Sequence, residues 1–415
     1  MVKTATPPLP RNIQKIDAGS VSIPPRYETP DPPNVYDTYG PQARAWAERE
    51  IELVASPWQS YVIDKILRHD RDGNLCARRA LVGCGRQNGK SVIVRIIVGW
   101  MLDEGQSLPP FSEWTTILLA AHDAKQARII YDGVFYDLAG IERLRRASKG
   151  GRFERTVKLT ELFGIRVGRL TLDIATSEPG SVRGKSAGLI PFDEVLTQRD
   201  FRMMDAIRPV LSAQRSPLLL MTSTAGTPES VVLRKFYDDL VSQATGDREP
   251  DPTFYGAWWQ SEDPNAGLDW AQIRQANPAL GDGRLTEDAI RDEFADFPAD
   301  SWRRERLNHW VDTAADAAFH PGQWAACRAE RPLDGLTGPY ALAVHVAPGW
   351  ERATIAVAGI RADNRVGVEV YRDFRGDVTA DQLVAAVAVF PDPVSVIAYD
   401  GVSGAAGIDG PARSD

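Results

Sequence analysis

The sequence has few cysteines, no long apolar run and no excess of positive charge, and each shortage argues against a class of protein. Its three cysteines, Cys76, Cys84 and Cys327, are odd in number, far apart and without a C-x-x-C pair, which speaks against a disulfide framework and a zinc site. The opening residues MVKTATPPLPRNIQ lack the apolar core of a secretory signal. The most apolar helical stretch, Val92 to Leu102, is too short to span a bilayer and carries Arg95. A protein of a reducing cytoplasm with no membrane role is expected. The formal net charge of −8 looks wrong for a nucleic-acid binder, yet the surface that meets phosphate, and not the sum, sets such binding. Basic clusters do occur, at Arg143, Arg145, Arg146, Lys149, Arg152, Arg155 and Lys158, and at Arg303, Arg304 and Arg306, although a charge run usually marks only a solvated face.

What is present fits a globular chain. At 415 residues, 43% hydrophobic and 25% charged, the default expectation is two domains. Residues 1–41 are proline-rich (PPLP, IPPRYETPDPPNVY) and read as an extended arm with little packing of its own. Helical spacing follows in ARAWAEREIELV and in SPWQSYVIDKILRH, where Ser56 can cap and Pro57 can take the first helical position. The apolar runs TTILLAA, RLTLDIAT, AGLIPFDE and PLLLMTST have strand composition and alternate with helical stretches such as AKQARIIYDGVFYDLAG, which predicts a mostly parallel sheet flanked by helices. Residues 262–312 turn helical and polar. After RPLDGLTGP come three short strands, a helix and a fourth strand, VSVIAYD, before a Gly/Ala-rich tail.

The chemistry-bearing stretch is LVGCGRQNGKS, residues 81–91, between an apolar strand and an apolar helix. A phosphate-binding loop needs converging backbone N–H groups, a lysine for the β- and γ-phosphates and a hydroxyl for Mg²⁺. Gly85, Arg86, Gln87, Asn88, Gly89, Lys90 and Ser91 supply these, although Cys84 stands where the general pattern wants glycine. A small packed cysteine is the expected reading there. Hydrolysis also needs an acid in the metal shell and a second acid that activates water. AGLIPFDE ends in Asp193 and Glu194, despite Pro191 inside the strand, and LLLMTSTAG ends in Thr222, Ser223 and Thr224, hydroxyls able to sense the γ-phosphate or merely to begin a loop.

SPWQ, GRQNGKS, FDE, TSTAG, ANPALGDGRLTEDAI and WRRERLNHW, in this order, resemble the large terminase subunit of tailed double-stranded DNA bacteriophages. The resemblance runs from about residue 50 to about residue 400. It implies a P-loop ATPase domain at 42–261, a helical linker region at 262–335 and a partial RNase H-like α/β nuclease domain at 336–415. It also implies an ATP- and Mg²⁺-dependent motor that moves double-stranded DNA into a capsid. By the same resemblance Gln59 is the adenine contact, with a helix-surface glutamine as the alternative. Arg86 answers γ-phosphate charge, Lys90 and Ser91 bind phosphate and Mg²⁺, Asp193 is the metal-shell acid, Glu194 the catalytic base, and Thr222 to Thr224 couple hydrolysis to motion. The implied partners are the small terminase subunit, the capsid portal and further copies in a ring, in the host bacterial cytoplasm. Arg143, Arg146 and Arg152 are candidates for an arginine supplied to a neighbour. A helicase-like ATPase of another family and a non-catalytic prophage subunit are the alternatives.

The nuclease half departs from the pattern. Two-metal nucleases hold Mg²⁺ or Mn²⁺ with several carboxylates. The family motif has an acid on the opening strand, where LAVHVAPGWERATIAVAG has His345. Asp400 ends VSVIAYD as the pattern asks, Glu369 is an alternative acid, and the only carboxylate side chains after Asp400 are Asp409 and the terminal Asp415. Neutral imidazole suits zinc or copper better than hard Mg²⁺. Impaired cleavage is expected, and the end at Asp415 suggests a truncated or split gene or a companion chain that supplies the missing acid.

Overall fold

A computed structural model of the chain describes residues 23–121, 124–147, 153–157, 163–175, 186–280, 282, 285–311, 327, 336–347, 350, 352–361, 364–376 and 378–399. Two compact units, Met1–Ala317 and Ala318–Asp415, divide it.

In the first unit the strands are β1 (Tyr27–Glu28), β2 (Asp37–Thr38), β3 (Arg68–His69), β4 (Arg79–Gly83), β5 (Thr116–Ala120), β6 (Phe153–Val157), β7 (Phe163–Val167), β8 (Leu170–Ala175), β9 (Leu189–Asp193), β10 (Leu218–Ser223) and β11 (Phe254–Trp258). Nine of them form one sheet, in the order β1-β11-β4-β10-β9-β5-β8-β7-β6. β11, β4, β10, β9, β5 and β8 run parallel, while β1, β7 and β6 add antiparallel pairings at the margins. The expected alternation of strand and helix thus gives the expected architecture.

Strand periodicity sends side chains to two separate cores. From β4 and β10, Ala80, Val82, Leu218 and Leu220 join the helices Gly40–Ile51, Pro57–Ile66, Lys90–Asp103 and Ala124–Gly140. Leu81, Leu219 and Met221 face the helices Arg202–Ser212 and Val231–Thr245 on the other side. A sheet covered on both faces needs apolar residues at every position, which is why these strands read as continuous apolar runs.

Pro191 sits inside β9, a central strand. The ladder to β10 is continuous across it (Leu220↔Pro191), whereas the ladder to β5 keeps only Ile117↔Leu189 and Ala120↔Phe192. The missing N–H therefore costs pairing on one side only. The proline-rich arm also differs from expectation: from Ile23 onward it packs. Tyr27 and Glu28 pair with Trp258 and Ala257, and Trp259 Nε1 donates to Ile23 O at 2.9 Å. A short antiparallel edge covers β11 and satisfies its backbone.

The second unit has β12 (Leu336–Val346), β13 (Arg352–Arg361), β14 (Val366–Arg375) and β15 (Val394–Tyr399) in the order β14-β13-β12-β15, with β12 and β15 parallel. The helix Ala380–Ala388, begun by a capping box between Thr379 and Gln382, packs Leu383 with Leu342, Val344 and Ile355. Among the described residues no helix is long and apolar enough to cross a membrane.

Candidate nucleotide-binding site

The C-terminal ends of β4, β10 and β9 lie side by side, because Thr222 is in register with both Val82 and Asp193 and Ser223 with Gly83. In parallel sheets such strand ends are where ligands bind. The loop 84–89, the acids 193–194 and the hydroxyls 222–224 therefore share one edge.

The loop glycines are dictated by packing. A Cβ on Gly83 would run into the Trp258 ring, and one on Gly85 into the Asn277 amide. Cys84, between them, is fully buried in the core, where burial pushes its thiol up to about 11. Close approach is needed at 83 and 85 and not at 84, so the small buried cysteine fits.

Gly89 takes the left-handed conformation (φ 85°) and Lys90 opens the helix Lys90–Asp103. The N–H groups of Asn88, Gly89, Lys90 and Ser91 have no hydrogen-bond partner among the described residues, and they add to the positive end of the helix dipole. Lys90 is buried, and its Nζ donates to Cys84 O (3.0 Å), Gly85 O (3.1 Å) and Thr224 Oγ1 (3.0 Å). The last bond ties the loop to the end of β10. Ser91, half-buried, follows on the first turn.

On the acid side, Thr222 Oγ1 donates to Asp193. Ser223 Oγ accepts from Leu196 N (3.2 Å) and donates to Thr224 O (2.9 Å), so the β10 end also holds the turn after the acids. Glu194 is left-handed (φ 52°), an uncommon conformation for a non-glycine residue that tends to mark functional positions. Its carboxyl is shifted up, first by burial and then by Asp193 and Glu305, with Lys90 and Arg86 opposing. A half-buried carboxylate kept partly basic beside a lysine can take a proton from water.

Gln59 is neither a surface residue nor free. It is fully buried, its Oε1 accepts from Ser56 N (2.9 Å), and its Nε2 donates to Gly89 O (3.0 Å). In this conformation it braces the loop. Arg86 is exposed, with Nη1 on Glu305 Oε1 at 3.2 Å.

The segments 276–280 and 305–308 supply polar groups whose roles were not evident from the sequence. Gly85 N donates to Ala276 O and Arg86 N to Glu305 O, both at 2.9 Å. Asn88 Nδ2 donates to Asn277 Oδ1 (2.9 Å) while Asn88 Oδ1 accepts from Ala279 N (3.0 Å). Asn277 Nδ2 donates onward to Arg306 O (2.6 Å). Arg306, only 2% exposed, pairs with both oxygens of Glu293 (2.7 Å each) and donates to Arg86 O (2.9 Å) and Gln87 Oε1 (2.8 Å). Asn308 Oδ1 accepts from Ala225 N (2.7 Å), just beyond the β10 end. Each of these asparagines is buried and satisfied across a long sequence separation, so the helices Trp270–Ala276 and Ala299–Glu305 and the loop form one hydrogen-bonded body. The sequence signal was present, as asparagine and arginine between apolar residues in NPAL and RLN, but it did not reveal the partners.

Other predicted residues lie elsewhere. Arg143 is bound to Asp103, with Glu50 (3.5 Å) and Glu104 (3.7 Å) nearby, at the far end of the loop helix. Arg152 and Asp400, and the side chain of Arg146, fall outside the described residues. His345 is exposed on β12, in register with Thr354, and Val344 lies beside Tyr399.

The fold is that of a two-unit α/β protein whose large, mostly parallel sheet is flanked by helices. The crystal structure of the HK97 bacteriophage large terminase matches with a TM-score of 0.55 at 19% identity, over 80% of this chain and 67% of that one, which shows a shared fold. The ATPase domain of the Thermus phage P74-26 large terminase aligns with a TM-score of 0.40 at 18% identity, over 57% of this chain and 89% of that domain. No protein-family profile and no curated protein matches the sequence.

Proposed function

We propose that this chain is a terminase-type motor ATPase. The observation that carries the reading is the meeting of Lys90 with Thr224, beside the half-buried Glu194, at adjacent ends of β4, β10 and β9. The donors suit ATP with Mg²⁺: unpaired loop amides and an ammonium for phosphate, and the Ser91 hydroxyl and Asp193 carboxylate as hard oxygen ligands. Bound Mg²⁺ would neutralise phosphate charge.

In this reading the residues of the chain divide the work. Lys90 leaves the carbonyls of Cys84 and Gly85 to hold phosphate oxygens, and Thr224 reports its departure to β10. Glu194 accepts the proton of the attacking water. Arg86 exchanges Glu305 for γ-phosphate charge. Gln59 serves the adenine only if it opens its bonds to Ser56 and Gly89, so its first role is to brace the loop. Asn277, Arg306 and Asn308 carry the loop's state into the helices of residues 270–305, which belong to the motor.

The finer assignments rest on the same reading: double-stranded DNA as the moved substrate, a small terminase subunit and a capsid portal as partners, a ring of copies, and the host cytoplasm as the setting. The second unit would be a nuclease weakened by His345, with Asp400 as its remaining ligand for Mg²⁺ or Mn²⁺. ATP turnover by the purified chain tests the motor assignment. Turnover by the wild type that is lost in Lys90→Ala and Glu194→Gln supports it, and equal turnover by all three rules it out.

A further inference from the structure

The arginine of the loop is held by an acid that phosphate binding does not require. Arg86 Nη1 lies 3.2 Å from Glu305 Oε1, and the two side chains are unequally placed, 59% exposed for Arg86 and 12% for Glu305. Glu305 is the fixed member. It ends the helix Ala299–Glu305, its Oε1 also accepts from Arg304 Nη2 at 3.0 Å, and its carbonyl accepts from Arg86 N at 2.9 Å. The next residue, the buried Arg306, donates to Arg86 O (2.9 Å) and is itself pinned by Glu293. The backbone of Arg86 is therefore gripped at both its N–H and its carbonyl, while its guanidinium reaches into solvent from that pivot.

A shielded carboxylate at hydrogen-bond distance competes with any other anion that Arg86 could serve. Glu305 and Arg86 also act in opposite directions on the Glu194 carboxyl, so the pair sits within electrostatic reach of that acid. On the reading proposed above, the rival anion is the γ-phosphate, which ADP lacks. A ligand's apparent affinity falls with the fraction of protein in the competent state, whereas a ligand indifferent to two states shifts neither. Holding Arg86 on Glu305 thus weakens the binding of ATP and not that of ADP.

We propose that Glu305 is a tether that sets the preference of this site between nucleoside triphosphate and diphosphate. It holds Arg86 in the empty and ADP-bound chain, and ATP binding must break the pair. Glu305 touches neither nucleotide, so it is a positioning residue that acts through Arg86. By linkage, the event that recruits Arg86 also releases the end of the helix Ala299–Glu305, and only a triphosphate can drive that release. The inference rests on the nucleotide-binding reading of the site.

Calorimetric titration of the full chain, in Mg²⁺, with ADP and with the non-hydrolysable analogue adenylyl imidodiphosphate tests the tether without turnover. Glu305→Gln keeps the side-chain shape and an oxygen for Arg304 but removes the charge. It is expected to tighten the analogue about 2- to 5-fold more than it tightens ADP, the scale of an ion pair with one exposed partner. Glu305→Asp, with its carboxylate one methylene shorter, should shift the same ratio in the same direction by less. In the Arg86→Ala background, Glu305→Gln should no longer favour the analogue over ADP, because the gain needs the arginine. A Glu305→Gln change that is equal for both nucleotides, or a preference that persists without Arg86, would overturn the tether and leave the nucleotide site standing. A wild type that binds neither nucleotide would overturn the reading of the site, and the tether with it.

Discussion

The two sheets of this chain treat the C-terminal ends of their parallel strands differently. In the large sheet, polar groups at the ends of β4 and β10 are buried and bonded to one another, from Asn277 to Asn88, through the Gly85 carbonyl to Lys90 and on to Thr224, and Thr222 donates to the half-buried Asp193 at the end of β9. In the small sheet, the corresponding residue of β12 is His345, exposed to solvent, and β15 is exposed along most of its length. Burial of a polar group is costly unless it is satisfied, so a chain keeps such groups buried only where they are held in place. The contrast points to the large sheet as the place where chemistry is organised.

Breaking the organised end should have the largest effects. Glu194→Gln is expected to lower ATP hydrolysis by about 10²–10⁴-fold, the range for loss of a general base. Replacing Arg306 with alanine strands Glu293 and the loop carbonyl, and chemical denaturation should report a loss of about 3 kcal/mol. Asn277→Ala removes one acceptor of Asn88 Nδ2 and the donor to the buried carbonyl of Arg306, and should cost about 2 kcal/mol in the same measurement.

The raised carboxyl of Glu194 gives a smaller effect whose sign can be worked out. Because the folded state holds the proton more tightly than the unfolded chain, this group favours folding below the ordinary glutamate pKa. That contribution is lost as pH rises through the raised folded value. Glu194→Gln should therefore melt higher than the wild type at neutral pH and about equally at pH 4. The hydrolysis rate of the wild type should fall on acidification at a higher pH than an ordinary glutamate would give. Smallest of all should be His345→Asp, an exposed change expected to leave stability within about 0.5 kcal/mol. Plasmid cleavage in Mn²⁺ should be weak in the wild type; robust cutting abolished by Asp400→Ala would reverse the view of the second unit.

Much of the large sheet was legible in the sequence. β5, β8, β9 and β10 are apolar runs long enough to read, and the strand–loop–helix order around Lys90 announced the loop. The marginal pieces were not. Phe163–Val167 and Phe254–Trp258 are short and interrupted by glycine, and the edge role of Tyr27 and Glu28 appears only when β11 is in place. At the site, residue types at the loop and after β9 were readable because local spacing fixes them. The brace was not, because Asn88 and Asn277 are 189 residues apart and nothing in either neighbourhood names the other. Gln59 shows the same limit: its identity was conspicuous, but its bonds to Ser56 and Gly89 follow from the packing of its helix against the loop.

The loop and the helices of residues 270–305 are expected to respond to nucleotide as one body. Amide hydrogen exchange on Glu194→Gln, with and without ATP and Mg²⁺, tests it most directly. Residues 84–91, 273–280 and 303–308 should change protection together, while 380–399 should not change. Exchange that is unaltered in the loop, or altered in the loop but not in residues 273–280 and 303–308, would contradict the account.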